Sequence, residues 1–224
     1  LATQTQLTSA AFVADRQTNG YGRRGRKFYS PAQSGLYLSL VIPNPKADLT
    51  QVGLLTTGVA AAVVDALHEF FPEADFGLKW VNDVMLHQRK VAGILCEAVL
   101  ALESATSAAF VIGVGLNLDT AHFPDELSAV AGSISATPID RNALAASVID
   151  HVIARAADYQ AGAFLPQYRQ LSTVIGHNVT MKLGTQLLVG KVVDIADNGG
   201  LVLLTAQGRQ TITAGEVVKV DVDA

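Results

Sequence analysis

The sequence predicts an α+β fold: strands joined by hairpins, two long helices, and a small all-β unit at the C-terminal end. Three observations carry this. Two stretches repeat apolar residues at spacings of three and four. Short apolar runs bounded by turns lie between them. After about Leu171 the chain breaks into a series of brief β-rich segments.

Residues 35–42, Gly-Leu-Tyr-Leu-Ser-Leu-Val-Ile, form a near-continuous apolar run closed by Pro43 and Pro45, which predicts a buried strand. Over 50–71, Val52, Leu55, Val59, Val63, Leu67 and Phe70 recur at helical spacing, and Pro72 stops the pattern. Apolar runs follow at 76–80 and 84–86. The polar turn His87-Gln88-Arg89-Lys90 joins the second of these to a strand at 91–99 as a hairpin, and 108–116 form a further strand. A second helix is predicted over 140–160, with Asp140 as N-cap and Leu144, Val148, Val152 and Ile153 on its apolar face. The last β segments are 178–183, 186–196, 200–205, 209–213 and 217–220, with a turn at Asp197-Asn198-Gly199-Gly200. They predict a small barrel. Leu165-Pro166 and the polar residues after it form the connector, giving domains at 1–171 and 174–224.

Half of the 224 residues are hydrophobic and 16% are charged, which supports a large core and excludes a disordered chain. A single cysteine, Cys96, excludes an internal disulfide framework and fits a reducing, cytoplasmic setting. No uninterrupted apolar run reaches the length of a membrane span. The chain begins at Leu1 rather than Met, so a preceding segment is expected.

The net charge is -4, yet four of the 16 Lys and Arg residues fall within five positions of Gly20-Tyr21-Gly22-Arg23-Arg24-Gly25-Arg26-Lys27. Interleaved glycines let backbone N–H groups approach a ligand, and arginine offers a fork that fits phosphate or carboxylate oxygens. The competing reading is a solvated basic loop or a nucleic-acid patch. The loop lacks the Gly-Lys-Ser/Thr ending of a Walker A motif, and its Gly-x-Gly-x-x-Gly opens no helix, so it is not a dinucleotide fingerprint. Lys79-Trp80-Val81-Asn82-Asp83 sets a cation, an indole, an amide and a carboxylate where a strand meets a turn, which is equally the composition of a β-turn beside a core tryptophan. Lys90 opens a strand in which Gly93 marks a bulge or a close approach, and Gly113-Val114-Gly115-Leu116-Asn117 ends another strand in an amide. If these ends converge, they form a pocket with apolar walls and a cationic rim.

Taken in order, these motifs resemble the biotin protein ligase family. Its pattern is a Gln, a Gly-Arg-Gly-Arg-x-Gly-Arg loop, Lys-Trp-Pro-Asn-Asp, Lys-x-x-Gly-Ile-Leu-x-Glu and Gly-x-Gly-x-Asn, matched here at Gln17, 20–26, 79–83, 90–97 and 113–117. The resemblance implies a mixed, largely antiparallel sheet with helices on one face, like that of class II aminoacyl-tRNA synthetases, and a C-terminal SH3-like barrel. It implies two-step transfer of biotin, by way of biotinyl-5′-AMP, to a lysine of a biotin carboxyl carrier protein. ATP and biotin are then the substrates, and Mg²⁺ travels with the triphosphate. Arg23 and Lys90 are the implied catalytic pair, on opposite sides of the carboxylate–phosphate junction. Gln17, Gly20, Tyr21, Gly22 and Gly93 are implied to join them in binding biotin. Arg26, Lys79, Trp80, Asn82, Asp83 and Asn117 are implied to join them in binding ATP.

Tyr21 replaces the first arginine of the family loop, Val81 replaces a proline, and the upstream Ser-Thr-Asn segment is missing. Two alternatives stand beside this reading: a lipoate or octanoate ligase, and a biotin-sensing transcription regulator whose DNA-binding region precedes this chain. No helix-turn-helix is readable, and the negative charge disfavours a nucleic-acid face. An exposed strand edge would serve a homodimer.

Overall fold

Between Ala109 and Leu116 the large residues Phe110, Ile112, Val114 and Leu116 alternate with mostly smaller ones, and that period of two gives the sheet two unlike faces. The structure is a computed structural model that describes residues 8–43, 49–100, 107–135, 137 and 139–221. The first sheet contains β1 (Ala10–Ala14), β2 (Gly35–Pro43), β3 (Gly77–Lys79), β4 (Asp83–Leu86), β5 (Arg89–Leu100) and β6 (Ser107–Asn117). Their spatial order is β1-β2-β6-β5-β4-β3, and each neighbouring pair is antiparallel. Isolated parallel bridges join Leu78 to Ser172 and Lys90 to Ala131. Pro45, expected to help end the first strand, lies outside the described residues.

One face is built from in-register rows such as Leu38–Val114–Ile94 and Leu36–Leu116–Ala92, all buried. Two helices cover it: α1 (Val52–Phe70) packs on β5, α3 (Arg141–Asp158) packs on β2, and the helices pack on each other. Every α1 residue from Leu54 to Val64 is buried. Its run of Gly58, Ala60, Ala61 and Ala62 admits neighbours closely: a Cβ on Gly58 would sit 3.0 Å from the Phe164 ring. The helix has the length and mean hydropathy, 1.3, of a membrane span, although charged residues interrupt it; 72% of it is buried inside the protein, which accounts for its composition.

Asp140 caps α3 as its residue type predicts, its carboxylate accepting from the backbone N–H of Asn142 and Ala143 at 3.0 Å each. Asp140→Ala is expected to cost about 1 kcal/mol of stability, read as a lower urea midpoint with an unchanged slope. Leu144, Val148 and Val152 are buried, but Ile153 is 44% exposed. The expectation that Ile153 joins the apolar face is corrected: one residue past Val152 rotates about 100° around the axis, which carries Ile153 off the buried stripe to an open depression beside Ala10 and Ile42.

The β4–β5 hairpin closes through His87 and Gln88, both at positive φ (49° and 62°), the backbone of a tight primed turn. A bulge follows. Val84 pairs with Ala92 and Met85 with Lys90, leaving Val91 as an extra residue. Beyond β6 lie the short α2 (Asp125–Ser128) and, after α3, α4 (Leu165–Gln170). The expected connector is therefore helical, with Pro166 in its first turn, where the missing N–H costs nothing.

The second sheet is antiparallel, in the order β10-β9-β8-β7-β11, with β7 (Asn178–Leu183), β8 (Gln186–Ile195), β9 (Leu201–Thr205), β10 (Gly208–Ile212) and β11 (Glu216–Asp221). Val179, Met181, Val192, Leu203 and Val217 belong to the same buried cluster as Leu55 and Val63 of α1. The two sheets therefore share one apolar core.

Candidate active site

The face of the first sheet turned away from the helices is floored by glycine. Gly93 and Gly115 are paired across β5 and β6, and Gly113 lies one pleat along. A Cβ on Gly115 would lie 2.5 Å from the Phe28 ring, and one on Gly93 3.1 Å from Lys90 Nζ, so these positions supply space. Tyr37, in register with Gly115, meets Phe28 edge-on with centroids 6.4 Å apart. A cleft of about 910 Å³ opens over this floor, within the range of small-molecule sites.

The basic loop forms one wall. Phe28 N–H donates to Gly20 O at 2.9 Å and Gly22 N–H to Arg26 O at 2.8 Å, and Tyr21 bridges Lys27. The chain reverses through Arg24 and Gly25, at φ 60° and 69°. A Cβ on Gly20 would lie 2.2 Å from Gln17 Oε1 and 2.9 Å from Ser30 Oγ, so a side chain there would have to displace that pair. Gln17 is itself fixed, its amide oxygen accepting from Ser30 Oγ at 3.1 Å. Arg23 is partly buried, whereas Arg24 and Arg26 are exposed.

The opposite wall comes from 79–83 and the start of β5. Asn82 is locked by its side-chain N–H to Ile94 O at 2.8 Å and by its own carbonyl, which accepts from Ile94 N–H at 2.9 Å. Its Oδ1 lies 3.5 Å from Arg23 Nη1. Asp83 accepts from Lys90 Nζ at 2.6 Å. The Lys90 backbone is anchored on both sides, its N–H to Val130 O at 2.8 Å and its carbonyl to Gly132 N–H at 2.9 Å. Trp80 is buried, its indole N–H donating to Gly199 O at 2.9 Å, so it reaches the cleft as wall rather than as donor. Lys79 and the buried Asn117 complete the rim. Every residue that the resemblance implies for biotin or ATP borders this one cleft.

The charge is graded. Burial lowers the pKa of Arg23 from its ordinary 12.5, and repulsion from Arg24 adds to this, against opposing pulls from Asp83 and Glu216. The Lys90–Asp83 pair is about a quarter to a third exposed, where such pairs contribute about 0–1 kcal/mol. Its value is therefore positional: it holds the ammonium against Asp83 on the cleft lining. Glu216 bonds Arg26 and lies 3.8 Å from Arg24. Burial alone would raise the Glu216 carboxyl, but Arg26, Arg24 and Lys79 outweigh it and the net shift is downward.

Sequence reading left several lining residues unassigned, and three of them bear on the chemistry or shape of the cleft. Phe28 abuts the basic loop, Glu97 closes the Lys90–Glu97 motif, and Glu216 lies on β11 with no motif around it. Pairing Gly93 and Gly113-Val114-Gly115 as cross-strand neighbours would have pointed to a bulky neighbour such as Phe28. Nothing local points to Glu216. Among the described residues, no three His, Cys, Asp or Glu side chains gather as a metal site. Burial pushes the Cys96 thiol up from 9.0 to about 12. The folded thiol therefore stays neutral where the unfolded one ionises, so its contribution is full below pH 9 and is lost as the pH rises toward 12. Native protein at pH 8 is expected to resist iodoacetamide, and urea-unfolded protein to be alkylated, as read by mass spectrometry.

Residues 3–117 match the model of the biotin/lipoate A/B protein ligase family, and residues 174–220 match that of the biotin protein ligase C-terminal domain. The chain is 31% identical over 227 residues to the bifunctional ligase/repressor BirA of Bacillus subtilis, covering 97% of this chain and 68% of the relative. It is 32% identical over 226 residues to the biotin–[acetyl-CoA-carboxylase] ligase of Mycobacterium tuberculosis, covering 97% and 81%. The biotin protein ligase of Aquifex aeolicus, solved with biotin and ATP, superposes with a TM-score of 0.77 at 31% identity, covering 92% of this chain and 86% of that one. A shared fold, a shared C-terminal domain and identity across almost the whole length place this chain, as a ligase, in the biotin protein ligase family.

Proposed function

We propose that this chain activates biotin with ATP to biotinyl-5′-AMP and transfers the biotinyl group to a lysine of a biotin carboxyl carrier domain, in the cytoplasm. The observation that carries this reading is that Arg23 and Lys90 both line one glycine-floored cleft. In the first step a biotin carboxylate oxygen attacks the α-phosphorus and pyrophosphate leaves. Two anions must meet, and fixed cations on either side offset their repulsion without reorganising. Gln17, Gly20, Tyr21, Gly22 and Gly93 would hold biotin along the floor. Arg26, Lys79, Trp80, Asn82, Asp83 and Asn117 would frame the nucleotide. Tyr21 is 58% exposed, so its place in the biotin wall falls to its backbone, which needs no arginine side chain.

In the second step the acceptor amine attacks the mixed-anhydride carbonyl, loses a proton, and AMP leaves. Mg²⁺ would enter on the triphosphate, retaining waters, which suits a cleft that presents Asp83 but no acidic cluster among the described residues.

The test is incubation with ATP, Mg²⁺, biotin and a carrier domain, scored by streptavidin blot and pyrophosphate release. Biotinylated carrier is the expected product. Absence of both signals with a competent carrier removes the proposal, and preferential use of lipoate in competition reassigns the acid.

A further inference from the structure

We infer that the C-terminal sheet sets the geometry of the active-site turn, with Arg169 of α4 as the positioning residue. The inference rests on the adenylation reading above for its catalytic arm only.

The stretch 78–81 is gripped from the C-terminal side at every residue but one. Leu78 N–H donates to Leu171 O at 2.7 Å, and Leu78 O accepts from Thr173 N–H at 2.9 Å. The Trp80 indole donates to Gly199 O, at the tip of the β8–β9 hairpin. Val81 O accepts a long hydrogen bond, 3.3 Å, from the Tyr168 hydroxyl, and Tyr168 is fully buried on α4. The next two residues, Asn82 and Asp83, face Arg23 and Lys90.

Arg169 closes the circuit. Its Nε and Nη2 both donate to Ile195 O, at 2.9 and 2.7 Å, and Nε also reaches Asp194 Oδ1 at 3.1 Å. Ile195 ends β8, four residues before Gly199. The hairpin tip has little freedom of its own, because a Cβ on Gly199 would lie 2.9 Å from Leu54 Cα in α1. One side chain thus fixes the hairpin to α4, and hairpin and helix together hold Trp80 and Val81. The fork that grips Ile195 O is a geometry lysine does not reproduce. The further contact to Asp197, whose side chain is 97% exposed, adds little.

Trp80 is the single tryptophan of the chain, so its fluorescence reports this turn independently of activity. Arg169→Lys and Tyr168→Phe in the full chain are expected to red-shift Trp80 emission and increase its acrylamide quenching, with thermal midpoints close to wild type. Adenylate formation at saturating biotin and ATP should fall by about 10- to 100-fold, because small misplacements of reacting groups carry costs of this size. The KM for biotin should stay within about twofold. Arg169→Lys added to Trp80→Phe should cost less than the product of the single effects, since both act through one turn.

Unchanged emission, quenching and rate in both single variants would overturn the inference. So would a rate loss that merely follows the fraction unfolded, or one confined to KM. If the wild-type protein forms no adenylate while Trp80 emission still responds to Arg169→Lys, the coupling stands and the ligase reading falls.

Discussion

Lys90→Ala is expected to slow biotinyl-adenylate formation by about 100- to 1,000-fold, the loss seen when one preorganised group facing developing charge is removed. The variant should fold. The Lys90 backbone is held by Val130 and Gly132, bonds that do not involve the side chain, and the side chain is a third exposed. The damage is electrostatic and double: the cation is lost, and Asp83, no longer neutralised, faces the incoming triphosphate. Lys90→Arg should rescue poorly, because a bulkier planar guanidinium does not put a point charge where the ammonium meets Asp83. Arg23→Ala should cause a loss of the same order. The double variant should lose less than the product, since both groups serve one junction. Single-turnover pyrophosphate release measures all three. A wild-type rate in either single variant would remove that residue from the chemistry.

Gly115→Ala carries the second large effect. The added Cβ would lie 2.5 Å from the Phe28 ring, so the ring must move. Tyr37, which meets it edge-on, closes one exit, so the ring must shift over the floor toward Gly93. Overpacking of this kind costs about 1–3 kcal/mol. Displacing Phe28 also drags the loop that carries Arg23, because the Phe28 N–H is bonded to Gly20 O. Biotin affinity should fall by about 10- to 100-fold by titration calorimetry, and the urea midpoint should drop with it. Phe28→Leu in the same chain should restore part of both. Wild-type affinity in Gly115→Ala would mean that the floor of the cleft is not where the acid lies.

Much of the architecture was legible because local pattern and tertiary role agree. The 50–71 periodicity became α1, and every β segment expected after Leu171 appears within two residues of its expected limits. The glycine-marked motifs were readable because each joins glycine to charged or amide side chains within a few residues. Illegible parts depend on distant partners. Trp80 had an open reading until its indole found a carbonyl 119 residues away. Glu216 meets the basic loop from 190 residues away, with nothing local to announce it. Ile153 was misassigned because an apolar residue beside a helical stripe looks like part of it until the helix axis is oriented. Connector residues 165–170 are polar enough to read as linker, and their helix is maintained by what Gln167, Tyr168 and Arg169 touch.

The extra residue in β5 bears on the motif spacing itself. Lys90 and Gly93 stand three apart, and on an uninterrupted strand that separation would send them to opposite sides of the sheet. The irregularity at Val91 restores agreement: Met85–Lys90 and Asp83–Gly93 both pair on the solvent side, while Val91 and Ala92 turn inward in succession. An odd interval has been made to behave as an even one. Straightening the strand with Val91 retained would therefore reverse the parity, pointing the ammonium at the oily interior beneath α1, whereas excising Val91 would leave Lys90 and Gly93 on one face.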